Sequence, residues 1–224
     1  HLVIDLEKSH GSWIHDAVTG EEYLDFYSYF ASLPIGHNHP KVLGDEAFLA
    51  SLQRAAISNP ANADIYSKEF AGFVDTFARI ARKDPFHYLF WIAGGSLAVE
   101  NAMKAAFDWK IRKNIQAGRG EVGGSKVLHF REAFHGRSGY TMSVTNTDPM
   151  KVAYFPKFDW PRVTTPKRWF PDTPDNLRKT IETEHHAYTE IQRAFEDYPG
   201  EIAAILIEPP QAEGADHHFR LMIF

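Results

Sequence analysis

The segment Gly94-Gly95-Ser96 is the first group of residues whose types and spacing suit a chemical task. It lies between an apolar run at Tyr88–Ile92 and residues at helical spacing. The start of a helix presents unpaired N–H groups and the positive end of the helix dipole, and together these bind phosphate. Glycines let the backbone approach an anion closely, and a serine can cap the helix or donate its hydroxyl. The segment could therefore form a phosphate-binding turn, but by itself it favours an ordinary strand-to-helix turn with a serine cap.

A second group consists of Phe134, His135 and Arg137, in a glycine-containing loop that follows the next apolar run. Phe134 can stack on a flat aromatic molecule, and Arg137 can hold a carboxylate with its forked guanidinium. Loops at the carboxyl ends of parallel strands are where ligands bind in open α/β sheets. A packed phenylalanine and a solvated arginine would fit the same pattern, so both interpretations stay open.

Two acids, Glu208 and Glu213, lie at and just beyond the end of a third apolar run, Ile202–Ile207. An acid that emerges from a buried strand needs a partner, because an isolated buried carboxylate is costly. A structural ion pair for Glu208 and an exposed loop position for Glu213 are equally compatible with the pattern. Neither acid by itself identifies a reaction.

Several other chemistries find little support in the residue pattern. Adjacent histidines do not share a helix face, and no third ligand is spaced to complete a metal site, although the chain has 12 histidines. Ser96 does not stand in a Gly-x-Ser-x-Gly elbow, and its segment lacks the lysine of a P-loop. The sequence therefore favours neither a metal site nor a serine hydrolase nor a P-loop nucleotide site.

The elements that must position these groups alternate between short apolar runs and helical patterns from residue 87 onward. The predicted elements are a strand at His87–Ala93, a helix from about Leu97, a strand at Lys126–Phe130, a helix near Asp175–Tyr198 and a strand at Glu201–Glu208. This alternation predicts a mainly parallel α/β sheet. Because the runs do not alternate with polar residues, we expect helices on both faces of the sheet.

The first part of the chain follows a different pattern. Residues 11–30 contain two aromatic and β-branched runs around Thr19-Gly20, which predicts a β-hairpin. Pro40 suits the first turn of a helix, and two helical stretches follow it. The second stretch has an apolar stripe formed by Phe70, Phe73, Val74, Phe77 and Ile80. We expect a small N-terminal segment at 1–45 and a larger domain at 46–224.

Composition narrows the class of protein. With 224 residues, of which 44% are hydrophobic and 14% aromatic, the chain can bury a sizeable core. A formal charge of -5 without a basic run argues against nucleic acid and anionic membrane as partners. We expect a soluble protein, since no run reaches the roughly 18 apolar residues of a membrane span. The absence of cysteine fits a reducing compartment, so we expect the cytoplasm.

The end of the chain does not fit a complete domain. Leu221-Met-Ile-Phe224 has the pattern of another buried strand, yet only 12 residues separate it from Glu208. Neighbouring parallel strands need a crossover of about a dozen or more residues, usually with a helix. We therefore expect residues to be missing between Arg220 and Leu221 and after Phe224.

Taken in order, the three motifs resemble the fold-type I, class III aminotransferases, which depend on pyridoxal 5'-phosphate (PLP). The likeness covers nearly the whole chain, including Gly11–Gly20 and Gly36–Pro40 near its start. The segments Gly94–Lys110, Ala133–Tyr140 and Phe155–Pro161 are most similar to members of the family that act on L-lysine. The resemblance implies an α/β fold with a mainly parallel sheet, together with the N-terminal part of a small domain.

The resemblance also implies roles for the candidate site residues. Those expected at the cofactor are Gly95, Ser96, Phe134, His135 and Glu208. Arg137 would hold the carboxylate of the amino-acid substrate. Glu213 would be a switch acid that pairs with a distal arginine and moves aside when 2-oxoglutarate binds. The lysine that forms the Schiff base is expected beyond residue 224, so no catalytic residue is identifiable in this chain.

The implied activity is transfer of the terminal amino group of L-lysine to 2-oxoglutarate by a ping-pong exchange in a homodimer. The products would be 2-aminoadipate 6-semialdehyde and L-glutamate. Three alternatives stay open. The first is an aminotransferase of the same class that acts on 4-aminobutyrate or ornithine. The second is a truncated relative that binds a partner without catalysis. The third is a domain that uses the helix start to bind the phosphate of a sugar or nucleotide.

Overall fold

The computed structural model describes residues 1–60, 64–121 and 123–220. By their internal contacts these residues form two compact units, one of which spans His1–Leu89 while the other begins at Phe90. The expected domain boundary at residue 45 stays a prediction. The predicted strand at Leu221–Phe224 lies outside the described residues. None of the described helices is long and apolar enough to cross a membrane.

The first unit begins with a three-stranded antiparallel sheet. Its strands, in the order β1-β2-β3, are β1 (Ile4–His10), β2 (Trp13–Asp16) and β3 (Glu22–Leu24). The turn between β2 and β3 is held by the Asp16 carboxylate, which accepts hydrogen bonds from the Val18 N–H and the Thr19 hydroxyl at 3.2 and 2.8 Å. The predicted hairpin is confirmed.

Short and long helices complete the first unit. They are α1 (Ser28–Ala31), α2 (Pro40–Leu43), α3 (Glu46–Ser58) and α4 (Lys68–Ile80). Pro40 opens α2, as the sequence predicts, and Ser67 caps α4 by accepting a hydrogen bond from the Phe70 N–H at 3.1 Å. The stripe on α4 forms as predicted, but it is not buried, since Phe73 is 49% and Ile80 69% exposed.

The second unit is built on a small parallel sheet. Its elements are α5 (Gly95–Gln116), β4 (Lys126–Phe130), α6 (Thr141–Val144), β5 (Arg162–Val163), α7 (Pro174–Asp197), β6 (Ile202–Leu206), β7 (Pro210–Gln211) and β8 (His217–His218). Strand β4 is central and pairs in parallel with β5 on one side and β6 on the other. Strands β7 and β8 form a separate antiparallel pair. The predicted parallel α/β architecture is therefore confirmed.

Helices cover both faces of β4. On one face, Leu128 and Phe130 pack against Ala194 of α7. On the other face, Val127 packs with Met103 of α5. Because successive side chains of a strand point to opposite faces, this division follows directly from the run Lys126–Phe130.

The predicted strand at His87–Ala93 is wrong. This segment has no regular secondary structure, and Tyr88 and Phe90 are 97% and 73% exposed. A strand needs a neighbour to pair its backbone N–H and C=O groups, and none of the described strands pairs with this segment. An apolar run predicts burial, but it does not determine which strand, if any, will pair with it.

Candidate functional site

The start of α5 forms an open cradle of backbone donors. Its N-cap, Gly94, has a φ of 90°, and a Cβ atom added to Gly94 or Gly95 would meet no atom within 4 Å. The Ala98 N–H donates to the Gly94 carbonyl at 3.1 Å, so the N–H groups before Ala98 point out of the helix. Together with the helix dipole, these groups suit an anion. The predicted helix start is confirmed, although the segment directly before it, residues 87–94, does not form a strand.

The segment Arg131–Tyr140, here called the Phe134 loop, follows β4 and is held by hydrogen bonds from several sides. The Phe134 N–H donates to the Glu208 carboxylate at 2.8 Å, which joins the loop to the end of β6. The His135 N–H donates to the Thr145 hydroxyl at 2.9 Å, and that hydroxyl donates to the Gly136 carbonyl at 2.6 Å. The loop is therefore fixed at the carboxyl ends of two adjacent parallel strands.

The Phe134 loop also approaches the start of α5 closely. Gly136 has a φ of 115°, and a Cβ atom added to it would lie 2.6 Å from the Ser96 Cβ atom. Only glycine combines this φ with such a short approach. The structure thus brings all three sequence motifs together: the α5 start touches the loop through Ser96, and the loop touches Glu208 through Phe134.

The two acids have different surroundings. The pKa of Glu208 is raised above its ordinary value, mainly by burial. The hydrogen bond from the Phe134 N–H lowers this pKa in part, and the nearby charge of Glu213 raises it further. Glu208 therefore binds a backbone N–H instead of forming the ion pair considered from the sequence. Glu213 forms an ion pair with Lys151, and both side chains are 35% exposed.

Two histidines near the site are buried in uncharged form. Burial lowers the pKa of His135 to about 4, and its Nε2 atom is buried without a hydrogen-bond partner in the described part of the chain. Burial, and then the charge of Arg162, lowers the pKa of His129 to about 3. The Arg162 Nε group donates to the His129 Nε2 atom at 2.9 Å. Neither histidine supplies a positive charge near neutral pH.

The remaining predicted residue, Arg137, is exposed at the surface of the Phe134 loop. An exposed guanidinium fits both interpretations of the sequence, a group that holds a carboxylate and a solvated arginine. Its role in substrate binding stays a prediction.

Sequence reasoning missed several residues that shape the site. Asn146 closes the Phe134 loop, because its Oδ1 atom accepts from the Glu132 N–H at 2.6 Å and its Nδ2 group donates to the Phe130 carbonyl at 3.2 Å. The Thr145 hydroxyl holds the same loop, because it accepts from the His135 N–H and donates to the Gly136 carbonyl. Single polar residues in a loop have no spacing signature. Glu100 accepts a hydrogen bond from the Ser138 hydroxyl of the Phe134 loop at 2.6 Å. Its spacing gave a weak sequence signal, because it lies four residues after Ser96 and so on the same helix face.

The donor set fits a flat molecule that carries a phosphate. Outward N–H groups and open space at Gly94 and Gly95 suit the phosphate, and the half-buried Phe134 ring lies in the loop that packs on that helix start. No group of three or more His, Cys, Asp or Glu residues in the described ranges is arranged to hold a metal ion. The arrangement suits a ligand with a phosphate group, next to the carboxyl edge of a parallel sheet.

Comparison with known proteins shows the family of this chain. A family model described as aminotransferase class III matches residues 1–220. The chain belongs to the class III aminotransferase family. This class III chain is 49% identical over 218 residues to an L-lysine-epsilon aminotransferase of Amycolatopsis lactamdurans, with 97% of the chain and 48% of the relative covered. It is 47% identical over 223 residues to the L-lysine-epsilon aminotransferase of Mycobacterium tuberculosis, with 100% and 49% covered.

Solved structures support the same assignment of the class III chain. A lysine aminotransferase from M. tuberculosis, solved in its internal aldimine form, matches with a TM-score of 0.93 and 46% identity, covering 100% of this chain and 51% of that one. An omega-transaminase from Thermomicrobium roseum matches with a TM-score of 0.73 and 23% identity, covering 98% and 46%, and shows the fold alone. The fold-type I prediction is confirmed. The chain spans about half the length of the curated relatives it matches.

Proposed function

We propose that the protein transfers the terminal amino group of L-lysine to 2-oxoglutarate with PLP as cofactor, giving 2-aminoadipate 6-semialdehyde and L-glutamate. The observation that carries the proposal is the meeting of Ser96, the Phe134 loop and Glu208 at one edge of the sheet. Lysine is favoured as the amino donor because relatives named for it are 46 to 49% identical to the chain. Relatives named 4-aminobutyrate aminotransferase are 29 to 32% identical.

The cofactor would be held by groups from all three motifs. The N–H groups of Gly95 and Ser96 bind the phosphate, and Phe134 packs against the pyridine ring. Glu208 holds the Phe134 backbone through its hydrogen bond with the Phe134 N–H. It would thereby set where the Phe134 side chain meets the cofactor. His135 lies buried in the same loop as a neutral group. The electron-withdrawing ring of the bound cofactor supplies the chemistry of amino-group exchange.

The substrate would be held at the end that does not react. Arg137 binds the α-carboxylate of lysine with two parallel hydrogen bonds, which leaves the terminal amino group free to reach the cofactor. Glu213 forms an ion pair with Lys151, and it lies close enough to Glu208 for its charge to raise the pKa of that acid. It would be the switch acid that moves aside when 2-oxoglutarate binds. A homodimer and a cytoplasmic location are part of the proposal.

The test is an activity measurement on the protein expressed from its complete gene. Its visible absorption spectrum is recorded first, and L-lysine with 2-oxoglutarate is then added while L-glutamate and the cyclised semialdehyde are measured. A cofactor band and lysine-dependent turnover support the proposal. Turnover with 4-aminobutyrate or ornithine but not with lysine would keep the family and overturn the donor. A colourless protein without turnover would overturn the enzymatic function.

A further inference from the structure

Three hydroxyl groups and one carboxylate connect the start of α5 to the Phe134 loop. We call Ser96, Glu100, Ser138 and Thr141 the hydroxyl cluster; the first two belong to α5 and the last two follow Gly136. The Ser138 hydroxyl donates to the Glu100 Oε1 atom at 2.6 Å. The Ser96 hydroxyl contacts the Ser138 hydroxyl and lies 2.8 Å from the Thr141 Oγ1 atom. Within the cluster, Thr141 is fully buried.

The protons of the hydroxyl cluster have defined directions. A carboxylate only accepts, so the Ser138 proton points at Glu100. The Thr141 hydroxyl donates to the Ser138 carbonyl at 3.0 Å. The oxygen atoms of Ser138 and Thr141 are therefore acceptors toward Ser96. A hydrogen bond to a charged acceptor is the strongest kind in such a network, so the Glu100 contact sets the geometry of the others.

Backbone contacts show how closely the loop lies against the helix at this cluster. The Ser138 N–H donates to the Ser96 Oγ atom at 3.3 Å and to the Thr141 Oγ1 atom at 3.1 Å. A Cβ atom added to Gly139 would lie 3.0 Å from the Glu100 Oε1 atom. The position of the loop relative to α5 therefore depends on side chains of the first two helical turns.

We propose that Glu100 and Ser138 are positioning residues of the cofactor site. The Glu100 carboxylate, acting through the Ser138 hydroxyl, holds the Phe134 loop against the phosphate-binding start of α5, and so sets where Phe134 and Arg137 stand. This inference rests on the proposed function, because it concerns the same cofactor. It assigns a role to two residues that the proposed function does not place at the cofactor or at the substrate.

The test compares four variants of the protein expressed from its complete gene. Glu100→Ala and Ser138→Ala each break the contact, whereas Glu100→Gln keeps an amide oxygen that accepts from Ser138. Asp108→Asn is the matched control, since Asp108 pairs with Arg112 on an exposed part of the same helix. The measurements are the dissociation constant of PLP, the visible circular dichroism of bound PLP, and KM and kcat for lysine.

We expect about a tenfold weaker PLP affinity, an altered dichroism band and a raised KM in both alanine variants. Glu100→Gln and Asp108→Asn should stay within about twofold of the parent protein. If both Glu100 variants instead bind PLP more tightly, the carboxylate acts by charge repulsion and the proposal is wrong. If Glu100→Ala does not fold, Ser138→Ala decides, and unchanged affinity, dichroism and KM in that variant overturn the proposal. A parent protein that binds no PLP would overturn the proposed function instead.

Discussion

The Phe134 N–H donates a hydrogen bond to the Glu208 carboxylate at 2.8 Å, and this bond joins the loop after β4 to the end of β6. The two residues are 74 positions apart in the chain. They meet because β4 and β6 are parallel neighbours, whose carboxyl ends lie at the same edge of the sheet. A half-buried acid whose pKa is raised by its surroundings thus holds the residue expected to face the cofactor ring.

Removal of this carboxylate tests its importance for the loop. We expect Glu208→Ala to weaken PLP binding by about tenfold or more, because the Phe134 N–H loses a charge-assisted bond in a half-buried position. Glu208→Gln should have a smaller effect, since its amide oxygen still accepts. Binding is measured by quenching of tryptophan fluorescence. Glu201→Gln, at the other end of β6, is the control, and equal affinities for parent protein and Glu208→Ala would contradict the prediction.

The fold was predictable where the signal was local. The strands β4 and β6 and the helices α5 and α7 follow from apolar runs and helical periodicity, and the structure has all four near the predicted bounds. The segment His87–Ala93 shows the limit of that reasoning. Its apolar residues predict burial in a sheet, yet pairing depends on a neighbouring strand that a pattern within the segment cannot specify.

The site was predictable only in part, for a related reason. Glycines, an aromatic and an arginine after a strand are recognisable because their types are unusual at such positions. Ser138, Thr145 and Asn146 are ordinary polar residues, and their partners are distant in the sequence or defined by the turn itself. Their contribution comes from hydrogen-bond geometry, which exists only once the loop has folded.

Gly136 provides a test of the contact between loop and helix. In Gly136→Ala the new methyl group would collide with Ser96, and the residue would also keep a φ of 115°. We expect a loss of about 1–3 kcal/mol in the free energy of unfolding, measured by urea titration. Gly118→Ala is the control for a positive φ without a collision, because Gly118 has a φ of 71° and open space around it. A loss no larger than that of Gly118→Ala would show that the collision is unimportant.

The buried histidines make stability depend on pH. The folded-state pKa of His129 is lowered to about 3 and that of His135 to about 4, from 6.5 in both cases. Below pH 6.5 the unfolded chain therefore binds more protons, and stability falls as the pH drops toward 4. Each histidine contributes a slope of at most about 1.4 kcal/mol per pH unit.

The slope can be assigned by substitution. We expect His129→Gln and His135→Asn each to flatten the pH dependence of the free energy of unfolding between pH 4.5 and 6.5. Val127→Ala is the control, because it removes buried volume from β4 without removing a titrating group. It should lower stability by a similar amount at every pH in this window. An unchanged slope in both histidine variants would mean that folding does not lower the pKa of either side chain.

Substitution of Arg137 tests how the amino donor is recognised, separately from the rate of amino-group transfer. Loss of its paired hydrogen bonds to the α-carboxylate should raise KM for lysine by about 30- to 150-fold in Arg137→Gln, with a much smaller change in kcat. The comparison substrate is 1,5-diaminopentane, which has the same terminal amine but no carboxylate. For this diamine the parent protein and Arg137→Gln should have similar kcat/KM values, because the guanidinium has nothing to bind. An equal loss for both substrates would place Arg137 in a role other than carboxylate recognition.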